Sequence, residues 1–279
     1  MVCFTIALRS SLTTSNWDSV VADFNATLRS IFNQTDPNFV VFVACSEIPP
    51  LFETYDDRLK FLCVDFPIPT KWIEYCRDRA MKLMTATMEI RKNFDTYAEK
   101  DGGVFIFPVD ADDLISKNVV KFVSDHPNAN GFKSAKGFVW KRGKRILTLS
   151  PYYGGSCNIM KLFKDELADQ LPPTEHFFDE DMGRYLIQNY KICWDDHEVE
   201  QKFSDLGRAF TRIPFPTTIY CLGTGENISE IDPRISKEPR GRLYQMTGIN
   251  FHPVAFLRKL DPRTTYFLTK KRKREFALQ

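Results

Sequence analysis

The sequence predicts an α/β fold, a mostly parallel central sheet with helices packed over both faces. Residues 3–8, 39–44 and 104–109 are apolar runs of strand length without polar alternation, as expected of strands covered on both sides. Each run stops at polar groups: Arg9-Ser10-Ser11, Cys45-Ser46-Glu47 and Asp110-Ala111-Asp112-Asp113. Sheets of this kind hold ligands beyond the carboxyl ends of their strands, so these three clusters are the first candidates for a site.

The elements follow in order. After the first strand, Trp17, Val20, Val21, Phe24, Leu28 and Ile31 recur at helical spacing, with Ser15 or Asn16 as the cap. Residues 34–38 break that helix, and the run 39–44 completes a βαβ unit with a right-handed crossover. Residues 61–64 form a third strand, closed by Asp65 and two prolines. From Trp72 to about Glu99 the pattern is one long helix or two, with a Met/Ala-rich face read as core. Gly102-Gly103 opens the strand that ends in the aspartates, and 116–124 is a short helix with Asp113 or Ser116 as a possible cap. A hairpin spans 138–149 around a basic turn at Lys141-Arg142-Gly143-Lys144. Residues 159–167 are compatible with a helix, and Asp179-Glu180-Asp181 opens another. Three segments are expected: 1–113 and 114–222 as two halves of one domain, and 223–279 as a basic extension.

With 279 residues, 43% hydrophobic and 27% charged, the chain can bury a sizeable core. Residues 223–279 carry 12 Lys/Arg against 6 Asp/Glu, while the rest carries 26 against 30. The basic end, above all Lys270-Lys271-Arg272-Lys273-Arg274, points to an anionic partner, with a solvated tail as the plain alternative. No apolar stretch reaches the roughly 18–20 residues of a membrane span, and the start lacks the basic segment of a signal peptide. Seven scattered cysteines without a C-x-x-C pair read as reduced core residues. The expected location is therefore cytoplasmic, with peripheral contact at an anionic membrane surface.

Three carboxylates within four residues repel one another unless a cation lies among them. Mg²⁺ or Mn²⁺ suits such oxygen ligands, and its open positions suit a diphosphate. The alternative is a polar strand-to-helix loop.

The order of these features resembles a GT-A-type glycosyltransferase of the family-2-like inverting kind, in particular rhamnosyltransferases. The resemblance covers roughly residues 3–230 and rests on the phrases at 28–47, 107–113 (FPVDADD), 177–181 (FFDED) and 226–229 (ENIS), with Arg79 and Lys82. It implies a transferase that moves a sugar from a nucleotide-diphosphate donor to a hydroxyl of a glycan, lipid-linked or surface-polymer acceptor. Arg9, Ser10 and Glu47 would then surround the nucleoside, and Arg79 and Lys82 would face the diphosphate. Asp110 and Asp112 would hold the metal, with Asp110 beside the donor, and Asp113 would bind the donor sugar or cap a helix. Asp181 would be the general base, with Glu180 as its substitute. The late motif lacks the histidine that related enzymes often carry, since 222–227 reads LGTGEN. Two other readings compete. A haloacid-dehalogenase-type phosphatase would use Asp110 as nucleophile, although its motif normally lies near the N-terminus. A non-catalytic protein would bind a nucleotide sugar or nucleic acid; the transferase reading itself expects no nucleic acid.

Overall fold

A computed structural model of the chain describes residues 1–150, 158–172, 185–186, 188–193, 198–223 and 265–278. The main sheet starts from β1 (Val2–Ala7), β2 (Phe39–Cys45), β3 (Leu59–Cys63) and β4 (Gly103–Val109). Between them lie α1 (Trp17–Phe32), α2 (Trp72–Lys92) and the single turn α3 (Phe94–Tyr97). Next come β5 (Leu114–Ile115), α4 (Val119–Ser124), β6 (Gly131–Ser134), β7 (Gly137–Lys141), β8 (Ile146–Ser150) and β9 (Asn158–Phe163). The remaining elements are α5 (Val199–Asp205), β10 (Thr211–Ile213), β11 (Thr218–Leu222), β12 (Thr265–Phe267) and α6 (Lys270–Glu275).

Seven strands form a mixed sheet in the order β10-β6-β9-β4-β1-β2-β3. β3, β2, β1 and β4 run parallel, as do β6 and β10, whereas β9 lies antiparallel between β4 and β6. The apolar runs fill both faces with the period of two that strands impose. Val2, Phe4, Ile6, Val41, Val43, Phe105 and Phe107 pack under Val20, Phe24, Leu28 and Ile31 of α1. Cys3, Val40, Phe42, Val104 and Ile106 pack under Met81, Met84 and Ile90 of α2. Each such buried side chain contributes about 1.5–3 kcal/mol. Asn16 caps α1, its side chain accepting from the Ser19 amide at 3.1 Å, and Asn93 separates α2 from α3.

Three expectations change. Residues 158–163 are a strand, because Ile159 and Met160 are both buried but on opposite faces of the sheet. A run covered on both sides has no amphipathic signature to separate strand from helix. The helix after the aspartates starts at Val119 with Asn118 at its cap position, so neither Asp113 nor Ser116 caps it. The basic run 270–274 is no loose tail. β12 pairs antiparallel with β8, α6 follows, and Phe276 is fully buried.

β12 belongs to a second sheet in the order β12-β8-β7-β11-β5. Its inner face gathers Leu114, Phe138, Leu147, Ile219 and Phe276 into a separate apolar cluster against Ala26 of α1. β5 follows the aspartates directly, so this sheet begins where the main sheet's acidic strand ends. Among the described residues no helix is long and apolar enough to cross a membrane.

Candidate functional site

β1 lies between β2 and β4, with Ala7 level with Ala44 and Ile6 level with Val109. The residues just past these positions therefore meet at one edge of the sheet. The chain moves outward from β1 to β2 to β3 and then returns to β4 on β1's other side. That reversal is a topological switch point at the carboxyl ends of β1 and β4, the position at which open α/β sheets accept ligands.

Ser10 and Glu47 meet there. The Ser10 hydroxyl donates to the Glu47 carboxylate at 3.2 Å, and the Ser11 amide donates to the same group. Ser10 also accepts from the Leu12 amide at 3.2 Å, starting the 3-10 turn Ser11–Thr13. Glu47 thus fixes the loop after β1 from the neighbouring strand. Arg9 folds over that turn, bonding the Thr13 hydroxyl at 3.2 Å and its carbonyl, with its guanidinium 5.8 Å from the Tyr75 ring centroid.

The acidic loop is held just as firmly. The Asp113 amide donates to the Asp110 carbonyl at 3.1 Å, and the Thr27 hydroxyl of α1 donates to the Ala111 carbonyl at 2.9 Å. Asp110 is 35% exposed at its side chain and accepts from Arg79 of α2 at 3.0 and 3.2 Å. Asp112 is half-buried. Asp113 is wholly buried. Burial pushes the thiol of Cys221, on β11, well up, and the negative charges of Asp113 and Asp112 push it further.

Lys82 is buried as well. Its side chain is 1% exposed, and its ammonium donates to Asp78, one turn earlier, at 2.8 Å. Burial raises the Asp78 pKa, while the charges of Lys82 and Arg9 oppose that rise. Asp78 and Tyr75 went unnoticed in the sequence. The i,i+4 spacing of Asp78 and Lys82 was the available signal, and for Tyr75 stacking on Arg9 there was none.

The Arg79 charge also reaches the second half of the chain. Burial pushes the Cys193 thiol up to about 12, with the Arg79 charge opposing. Leu186, Tyr190 and Ile192 join the core beneath α2. Asp179, Glu180, Asp181 and His176 lie outside the described residues, as do 151–157, 194–197 and 224–264.

Among the described residues no three His, Cys, Asp or Glu side chains converge as a ready-made metal cage. Mg²⁺-type sites commonly use one or two carboxylates, with water and substrate phosphate completing the shell. Asp110 and Asp112 would be such a pair, and Asp110 already presents an oxygen to the Arg79 guanidinium. The residues fit a cation completed by substrate.

No protein-family model matches the chain, and no curated protein matches its sequence. Among solved structures it is similar to "Crystal structure of S. aureus TarS 1-349", at 14% identity and a TM-score of 0.40. The match covers 79% of this chain and 60% of that one, so the chain spans less than two thirds of that length. A likeness this distant carries no argument about activity.

Proposed function

We propose that the protein is a metal-dependent glycosyltransferase of the GT-A kind, moving a sugar from a nucleotide-diphosphate donor to a hydroxyl acceptor. One observation carries this reading. Ser10, Glu47 and Asp110 follow the ends of three adjacent parallel strands, with Ser10 bonded to Glu47 and Arg79 paired to Asp110. Glu47 and Ser10 shape the wall beside the nucleoside, and Arg9 lines it with Tyr75. Asp110 and Asp112 would hold Mn²⁺ or Mg²⁺, which when bound would neutralise charge on the leaving diphosphate. Arg79, already at Asp110, adds charge-assisted hydrogen bonds toward the same phosphate oxygens. In the reaction the acceptor oxygen bonds to the anomeric carbon as that carbon's bond to the diphosphate breaks. Asp181, or Glu180 beside it, takes the hydroxyl proton, and the configuration inverts.

Thermal shift with UDP, dTDP and GDP, each with and without Mn²⁺, tests the reading. The expected result is a rise in melting temperature for one nucleotide that requires the metal and is lost in Asp110→Asn. Asp181→Asn should keep that rise and lose turnover. No stabilisation by any nucleoside diphosphate, or burst release of phosphate from a phosphate ester, would overturn the assignment.

A further inference from the structure

We infer that the joined edge of β8 and β12, with the adjoining basic turn and the start of α6, is a docking surface for an anionic lipid bilayer. Tyr266 and Leu147 are register partners that face inward into the second sheet's cluster. The next pair, Phe267 and Ile146, therefore stands on the opposite face, and these side chains are 68% and 45% exposed. An aromatic and a branched aliphatic side by side in water form an apolar wedge that the described residues leave exposed.

Basic residues adjoin the wedge along the chain. Lys141 ends β7, Arg142, Lys144 and Arg145 lead through the turn to Ile146, and Lys270, Lys271 and Arg274 lie just past β12; all seven residues are exposed. Arg142 is drawn to Asp23 of α1, leaving six cations on the turn and on α6. Glu275, the acid of α6, is turned to the Ser116 hydroxyl at 3.0 Å.

The frame beneath them is fixed. Trp140 Nε1 donates to the Lys144 carbonyl at 2.8 Å, and the Leu268 amide to the Arg145 carbonyl at 2.9 Å. Arg272 stacks 4.5 Å from the Tyr266 centroid and donates to the Phe267 carbonyl at 3.0 Å. The basic turn, the apolar pair and the start of α6 are thus tied into one scaffold built by segments distant in sequence.

Cations around an exposed apolar pair match the two layers of an anionic bilayer interface. The ammonium and guanidinium groups meet lipid phosphates, and the Phe and Ile side chains enter the acyl boundary. A nucleic acid would satisfy the charges and the aromatic ring but leave Ile146 without a partner. The surface stands apart from the transferase reading, and its test uses no nucleotide.

The full chain should co-sediment with vesicles of phosphatidylcholine containing about a third phosphatidylglycerol, and not with phosphatidylcholine alone. Reversing four charges together (Lys144→Glu, Arg145→Glu, Lys270→Glu, Lys271→Glu) should weaken binding about a hundredfold or more, at roughly fivefold per charge. Phe267→Ser with Ile146→Ser should keep binding at low salt and lose the salt-resistant part. Lys92→Glu with Lys121→Glu, on other elements, should change nothing, and matching melting temperatures would show that all variants fold. Equal binding to neutral and anionic vesicles would overturn the proposal, as would unchanged binding by the fourfold variant. Capture of a short RNA or DNA duplex without vesicle binding would overturn it too, assigning the patch to nucleic acid.

Discussion

Lys82 and Asp78 show how one buried pair limits what a cationic residue can do. Replacing Lys82 with Met leaves the Asp78 carboxylate buried opposite an apolar group and should destabilise the fold by about 3 kcal/mol at neutral pH. The dependence on pH follows from burial, which already raises the Asp78 pKa and does so more strongly without the ammonium. A raised carboxyl pKa gives stability that is present below the unfolded value and lost as pH rises through the folded one. The deficit of Lys82→Met should therefore shrink toward the ordinary aspartate value of 3.8 and widen above it, as urea melts across pH would show. Adding Asp78→Leu should recover most of the loss, because a well-packed apolar pair removes the uncompensated charge.

At the scale of elements, α2 begins with Glu74 reaching back to the Thr70 and Lys71 amides at 2.7 and 3.0 Å. Those bonds, the Thr70 amide's first, hold the Glu74 pKa below its ordinary 4.5. Glu74→Ala should cost about 1 kcal/mol above that pH, with the difference closing as pH falls through the lowered value. In β6, a Cβ on Gly131 would come within 2.7 Å of the Ile159 carbonyl oxygen and 2.4 Å of the Phe210 ring. The carbonyl belongs to the ladder and cannot turn aside, so Gly131→Ala should cost about 1–3 kcal/mol in a denaturant melt. These elements also mark how far the sequence could be read. α1 and α2 were legible from helical apolar spacing, and β1, β2 and β4 from unbroken apolar runs with polar ends. β9 was not, since Lys161 interrupts its apolar run and looks like a surface residue. That lysine is 2% exposed, held by Asp101 and the Pro127 carbonyl.

For the whole molecule, the second sheet determines what the chain's last residues do. Phe276 fills the cluster beneath Phe138 and Leu147, so Phe276→Ala should destabilise the protein by about 3–5 kcal/mol, measured by calorimetry. A dispensable tail would show almost no change. The candidate site was partly legible: polar residues after β1, β2 and β4 announced it, and the strand order brings those ends together. The burial of Asp113 and Lys82 was hidden, because it depends on how α2 and β11 close over the loops.

The joining of β12 to β8 bears on biosynthesis. β8 ends at Ser150 and its partner begins at Thr265, so a ribosome has long finished the one before it makes the other. Until then the growing polypeptide carries β8 with one flank unpaired and the hydrophobic bed of Phe276 open. Such a flank invites a neighbouring nascent chain to pair with it, so slowing translation between these two segments should raise the demand for chaperones more than the same delay placed inside the first sheet.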